Sequence, residues 1–414
     1  MYQYLKSPKG FMFAWLSFDF ANSPFTTIII TFIYSTFFVE VIVGETIYGT
    51  QVWSWIISGS AIFIAIMAPI MGRRIDAKQS QLAWLVTNTL LCSFTCMALF
   101  LFSDGDYIWA GFFVFFSNIF FELSLVVYNA LIGQSPDKNK IGRVSAYGWA
   151  AGYASGLLAL IIALLFFVLP DVPVFNLDKS SNEHILALTL LVGIWYIIFT
   201  VPTVIHFNSN LNYQVSSSSF REALPLKKLI SDYPDLWRFF LARLFYNDAL
   251  ITIFAFGGIY AMGTFDFSFT QVLYFGIYLN VFALIGSLAL SRLDDAIGSK
   301  KSIIITIVGL SFALVIAMLA QSQLTLWLAG AIIGFFAGPN QCMSRAYVVK
   351  LADKNMINEV FGWFAFIGKS TSFVGPFLIG WVTALFSSQR IGLISVLILF
   401  LIGFYLMTTV KERT

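Results

Sequence analysis

The chain has 414 residues, 59% of them hydrophobic and 11% charged, with a formal net charge of +3. Soluble globular chains carry roughly 25% charged residues, so this one cannot hide its apolar surface in a single water-soluble core. Its solvent is lipid, and apolar runs of roughly 20 residues predict membrane helices rather than the short alternating strands of a barrel.

Taken in order, the apolar runs predict twelve spans at about 11–42, 50–72, 81–102, 107–132, 142–169, 184–206, 237–262, 268–291, 301–320, 324–349, 357–386 and 390–409. The first run is too long for a cleavable signal and carries Asp19 and Asn22, so it reads as a membrane helix. Short polar turns separate most spans. The longest polar stretch, 207–236, holds Ser216 to Ser219, Pro225, Lys227, Lys228 and Pro234. It reads as a cytoplasmic linker with a short surface helix around Arg221 to Ile230, between an N-terminal half (1–206) and a C-terminal half (237–414).

Charge sets the expected orientation. With both termini inside, the inside segments hold 19 of the 24 Lys and Arg residues, against Lys179 and Arg390 outside. The positive-inside rule favours that choice. Outside turns are acidic instead, with Glu40, Glu45, Asp104, Asp106, Asp171 and Asp266.

The halves repeat. Asp137-Lys138-Asn139-Lys140 precedes the fifth span and Asp353-Lys354-Asn355-Met356 the eleventh, 216 residues later. At the same offset Val144 meets Val360 and Gly152 meets Gly368. Gly72-Arg73-Arg74-Ile75-Asp76 follows the second span, and Ser291-Arg292-Leu293-Asp294-Asp295 follows the eighth, 219 residues later. Two parallel six-helix repeats are a known transporter design.

These turns resemble those of the major facilitator superfamily: Gly72-x-x-x-Asp76 and its echo Asp295-Ala296-Ile297-Gly298-Ser299-Lys300, with Ser291 where that family usually has Gly. Further matches point to one branch. Phe18-Asp19-Phe20-Ala21-Asn22-Ser23-Pro24-Phe25 is similar to a signature of the family of the yeast vacuolar amino-acid effluxer linked to autophagy. So are Tyr128-Asn129-Ala130-Leu131, Gly142-Arg143-Val144-Ser145, Phe245-Tyr246-Asn247-Asp248, the run Gly368 to Pro376, and Ser388-Gln389-Arg390. The resemblance implies an all-α membrane protein with the major facilitator fold, and transport with amino acids as one substrate class.

An ionisable side chain inside a membrane helix costs at least a few kcal/mol unless paired or hydrated, so each asks for a reason. Asp19 lies about 13 Å into the first span at 1.5 Å per residue, with Asn22 and Ser23 on its face. Pro24 follows and opens the helix ladder. This reads as a ligand or proton site, against a structural pair that locks helices. Asn118, Glu122 and Asn129 form one stripe on the fourth span, with Tyr128 at its edge. They read as a cavity wall, or as an interhelical hydrogen-bond set.

Arg243 and Asn247 share a face of the seventh span, with Asp248 turned roughly 140° away. Asp248 is the stronger coupling candidate, and Arg243 reads as a structural partner or a residue near the inside end. Gln271, Tyr274 and Tyr278 line one face of the eighth span, a substrate-cavity face or aromatic packing; Gln341 and Arg345 share a face of the tenth, following Asn340, with Arg345 near the cytoplasmic end and open to ligand binding or gate ion pairing. Lys369 lies roughly 18 Å into the eleventh span, with Ser372 on its face. It would dock a substrate carboxylate or pair with Asp19 or Asp248. Asp76, Arg143 and Asp295 read as charge-paired latches at the cytoplasmic rim.

The expected function is a secondary transporter for a small polar solute, using alternating access and coupled to protons or another ion. The alternatives are a lipid or lipid-linked-precursor flippase on the same fold and a membrane-embedded transferase. The transferase fits poorly, since the two His residues, His184 and His206, fall on opposite faces and no catalytic cluster forms. No nucleotide-binding loop is present. Cys92, Cys96 and Cys342 sit in apolar runs without nearby His, so they read as buried thiols rather than metal ligands. No catalytic residue, metal or cofactor is expected and no nucleic-acid partner; the chain is expected to be a monomer in a bilayer. The absence of an N-x-[ST] acceptor favours a bacterial inner membrane.

Overall fold

The structure is a computed structural model, and it describes residues 3, 4, 7, 10–78, 80–209 and 224–411. Among these, every regular element is a helix. That follows from the solvent. In a bilayer each backbone N–H and C=O must find its partner within the protein, and a helix closes that bonding within one segment. Large apolar side chains accordingly face outward, such as Ile62, Ile66, Phe312 and Leu401.

Twelve long helical segments appear among the described residues. They are Phe11–Ile42, Thr46–Lys78, Gln81–Leu101, Tyr107–Gln134, Ile141–Val168, Glu183–Ser209, Pro234–Phe265, Phe269–Ala289, Ser299–Leu319, Gln323–Leu351, the pair Ile357–Ser370 and Val374–Phe386, and Gln389–Thr409. Nine of the described segments are by themselves long and apolar enough to cross a membrane. The other three are the eighth, tenth and eleventh. Of these the tenth carries Asn340, Gln341, Ser344 and Arg345 in its run, and the eleventh is interrupted.

Local chemistry sets many ends. Ser268 opens the eighth span with a capping box, its side chain accepting from the Gln271 N–H while Gln271 returns a bond to the Ser268 N–H. Ser322 and Ser388 cap the tenth and twelfth spans in the same sense. The predicted surface helix is seen over Leu226–Asp232; the part of that prediction before residue 224 lies outside the described residues. Tyr233 ends the short helix and its hydroxyl bonds Asp353 at 2.9 Å.

Contacts divide the chain into two compact units, Met1–Leu131 with Ala151–Ser219, and Ile132–Ala150 with Phe220–Thr414. In the first unit the first span packs on the sixth, the third on the fourth and sixth, and the second on the fourth. In the second unit the seventh packs on the twelfth, the ninth on the tenth and twelfth, and the eighth on the tenth. The pairing pattern is the same once six is added to each ordinal.

The largest departure from the sequence reading is the eleventh span. A single apolar run over 357–386 predicts one helix. The structure breaks it at residues 371–373, where Ser370, Thr371 and Ser372 offer side-chain hydroxyls that compete with the backbone ladder.

Candidate functional site

In the first unit, Pro24 shapes the first span. It has no N–H, so the Phe20 carbonyl loses its helical donor. Two side chains take that place: Ser155 Oγ of the fifth span at 2.5 Å and Trp195 Nε1 of the sixth at 3.0 Å. Beyond Pro24 the backbone widens into π turns over Phe25–Phe32 and Phe38–Ile42, a distortion frequent at functional sites. Asp19 and Asn22 lie buried on the Pro24 side of this region. Asn22 Nδ2 donates to the Phe18 carbonyl at 2.8 Å, and Ser23 Oγ to the Asp19 carbonyl at 2.9 Å.

The doubly bonded carbonyl makes a prediction. Trp195→Phe alone should lower stability by about 0.5–1 kcal/mol, since Ser155 remains. Adding Ser155→Ala should raise the loss to about 1–3 kcal/mol, the cost of an orphaned buried carbonyl. Putting Pro24→Ala into that double variant restores a backbone donor and should recover part of the melting temperature. No recovery would refute the account.

The fourth-span stripe divides. Asn118 is buried and donates to Ser60 Oγ of the second span at 2.7 Å. Tyr128 stacks on Trp15 and Phe18, with ring centroids 4.0 and 4.4 Å apart, and its hydroxyl donates to the Trp15 carbonyl at 2.8 Å. Both therefore hold helices together. Glu122 and Asn129 are only half-buried.

In the second unit the polar groups gather at the broken eleventh span. Asp248 is 2% exposed. Its Oδ2 accepts the Gly375 N–H at 2.8 Å, in the first turn of the half-helix Val374–Phe386. A carboxylate at a helix N-terminus satisfies an orphan donor and meets the positive end of the helix dipole. The other oxygen, Oδ1, is buried without a hydrogen-bond partner among the described residues. Lys369 stands in the last turn of the preceding half-helix, where unsatisfied carbonyls favour a cation. Asn247 Oδ1 accepts from Gln341 Nε2 at 3.0 Å. One turn back on the seventh span, the Arg243 guanidinium lies 3.5 Å over the Phe364 ring and donates to the Phe364 carbonyl at 3.2 Å. The eighth-span face contributes less. Gln271 is engaged in its capping box, Tyr274 is 61% exposed, and Tyr278 packs on Phe282 and Trp327.

One small arrangement recurs in both units. An aspartate is followed four residues later by a hydroxyl that bonds back to the aspartate carbonyl, and a glycine from the fifth or eleventh span packs on the pair. In the first unit these are Asp19, Ser23 and Gly152, where a Cβ would lie 2.7 Å from Ser23 Oγ. In the second they are Asp248, Thr252 and Gly375; Thr252 Oγ1 donates to the Asp248 carbonyl at 2.7 Å and occupies the place of a Gly375 Cβ. The contacts thus match Gly152 to Gly375, not to Gly368 as the offset of 216 predicts. The eleventh span is broken where the fifth runs on, so no single offset serves both sides of the break.

The motif Gly142-Arg143-Val144-Ser145 becomes legible only in three dimensions. The Asp294 carboxylate occupies the space that a Cβ on Gly142 would fill, and it pairs with Lys350 Nζ at 2.8 Å. Arg143 Nε lies 3.1 Å from Asp295 Oδ2. Burial raises the Asp295 carboxyl above the usual range, and Arg143 opposes that. Ser145 Oγ donates to the Cys342 carbonyl at 2.7 Å, and Arg345 binds Ser145 through Nε to Oγ at 2.8 Å and Nη2 to the carbonyl at 2.7 Å. Arg345 is therefore committed to a helix contact. Asp76 is half-buried near the end of the second span. Sequence reading missed Ser145, Asp294 and Lys350; the Gly-Arg motif and the repeated turn were the available signals.

Comparison with known proteins places this arrangement. The model of the family described as "Vacuole effluxer Atg22 like" matches residues 132–414. A Bacillus subtilis (strain 168) protein described as an uncharacterized MFS-type transporter, YxiO, is 25% identical over 97% of this chain and 95% of its own. Autophagy-related protein 22 of Cryptococcus neoformans (serotype D, strain JEC21) is 26% identical over 63% of this chain and 48% of its own. A bacterial homologue of the iron transporter ferroportin, in the outward-facing state, superposes with a TM-score of 0.74 at 15% identity, covering 97% of this chain and 99% of that one. FucP, a major facilitator transporter in the outward conformation, gives 0.71 at 13% identity, over 97% and 98%. The chain has the major facilitator fold, and it belongs to the Atg22-like vacuole effluxer family.

Proposed function

We propose that this protein is a secondary transporter that moves a small polar solute, an amino acid leaving the cytosol, by alternating access coupled to protons. The observation that carries this reading is the interrupted eleventh span. A helix broken inside a membrane protein is tolerated where it lines a site, and this break is held by Asp248, a buried carboxylate with one oxygen bonded and the other unpartnered among the described residues. Such a group can hold or release a proton while staying attached to the helix that must move. Asp19, in the matching arrangement of the first unit, is the second candidate, followed by Glu122 and Lys369. Arg143 with Asp295, together with Asp76, serves as a gate latch in this reading. A bacterial inner membrane is the proposed location, supported by similarity along 97% of this chain to a Bacillus subtilis protein, and a monomer is the proposed working unit.

Purified full-length protein in proteoliposomes, loaded with one labelled amino acid at a time, tests this. An imposed proton gradient should drive accumulation of at least one amino acid above empty liposomes, and a protonophore should abolish it. Counterflow without any gradient-driven accumulation would remove the coupling. The absence of both, across the standard amino acids, would remove the substrate class.

A further inference from the structure

From sequence, Arg243 reads as a structural partner or a residue near the inside end; among the described residues no acid pairs with it. The residue is 6% exposed on a membrane helix. Guanidinium has five N–H donors and cannot lose its charge. Among the described residues, one of those donors is bonded, Nη1 to the Phe364 carbonyl, and Nε is buried without a partner. No carboxylate of a described residue lies within ion-pair reach of it. The Phe364 ring covers one face, and cation–π contact supplies only part of what a desolvated cation lacks. The neighbouring backbone is kept clear: a Cβ on Gly368 would lie 3.0 Å from Nη1.

From this we infer that Arg243 is the docking point for a carboxylate of the transported solute. The inference rests on the transport reading above and adds to it the residue and the anchoring group. A planar fork packed against Gly368, which has no side chain to cover it, suits a two-oxygen anion, and a bidentate guanidinium–carboxylate pair combines charge with geometry. Lys369, next to Gly368 in sequence, is a second basic residue, on the half-helix Ile357–Ser370. Asn247, one turn along the same face, is buried and fixed by Gln341, so it supplies a preorganised polar wall.

The test uses full-length protein and paired ligands. Each standard L-amino acid, its carboxamide analogue, benzoate and inorganic phosphate are titrated by thermal shift in detergent, and the binders are followed by counterflow in proteoliposomes. Wild type should prefer carboxylate over carboxamide by roughly 10- to 100-fold. Arg243→Gln should bring that ratio close to one while leaving the carboxamide's affinity unchanged. Gly368→Ala should erode the same ratio with the charge still present. A merely structural Arg243 would weaken both ligands alike, and a ratio that survives in folded Arg243→Gln protein would overturn the inference. So would Arg243-dependent binding of phosphate in place of carboxylates. Arg243-dependent benzoate binding without any amino-acid binding would sink the amino-acid reading and leave the docking residue standing. Amino-acid transport indifferent to Arg243 would do the reverse, and no carboxylate binding at all would end both.

Discussion

Asp248→Asn should abolish gradient-driven accumulation while leaving the fold intact. The carboxamide has nearly the shape of the carboxylate, and its oxygen still accepts the Gly375 N–H, the one hydrogen bond that Asp248 makes to the start of Val374–Phe386. The thermal stability of this variant should change by less than about 1 kcal/mol, the net worth of one hydrogen bond. What it loses is the ability to exchange a charge for a proton beneath a helix end. Asp248→Ala separates the two contributions, because it removes the cap as well. It leaves a buried N–H unsatisfied and should cost about 1–3 kcal/mol of stability in addition to coupling. Counterflow, which needs no net proton movement, should persist in Asp248→Asn. If that variant still concentrates solute in response to a pH gradient, Asp248 is a helix cap and nothing more.

Gly375→Ala should be a damaging single-methyl change in the second unit, and one that reaches the candidate site. Its Cβ would fall on Thr252 Oγ1 and lie 3.2 Å from the Asp248 carbonyl. Both neighbours belong to the rigid middle of the seventh span, so the half-helix must retreat. Overpacking of this kind costs about 1–3 kcal/mol, and occasionally more. Retreat also pulls the Gly375 N–H away from Asp248, so transport should fall together with stability. The remedy follows from the geometry: Thr252→Ala removes the oxygen in the way, and Gly375→Ala with Thr252→Ala should be more stable than Gly375→Ala alone. Gly380→Ala is the control, since nothing lies within 4 Å of that Cβ. Thermal unfolding in detergent and counterflow read both quantities. Additive losses in the double variant would refute the packing account.

How much of this was legible beforehand depends on the range of the interaction. The positions of Asp19, Asp248 and Lys369 within their spans came from counting along apolar runs, because helix rise is constant. Pro24 announced a broken ladder for the same reason: its missing N–H is a property of the residue. The sequence could not say that Trp195 and Ser155 would supply the donors to Phe20, since those residues lie 175 and 135 positions away. Arg345 stands open between gate ion pairing and ligand binding when only its own helix is in view, and its partner Ser145 lies 200 residues distant. One helix face alone leaves Tyr128 and Asn118 open between a cavity wall and an interhelical hydrogen-bond set, and their bonds to Trp15 and Ser60 come from neighbouring helices.

Composition and run length, properties that sum along the chain, determined that this is a helical membrane protein; the turns repeated about 216 residues apart gave the two halves, and the resemblance of its motifs implied the major facilitator design. Lipid supplies no hydrogen bonds, so an apolar run of that length leaves the backbone little choice but helix. Tertiary structure alone decided where that choice fails and what each buried polar group does there. It broke the eleventh span at residues 371–373, gave Asp248 the N–H of Gly375, set Gly152 and Gly375 against matching hydroxyls, and left Arg243 without an acid among the described residues. Each of these depends on which helix lies against which, and a side chain's partner across a helix contact leaves no mark in the local pattern of either strand of sequence.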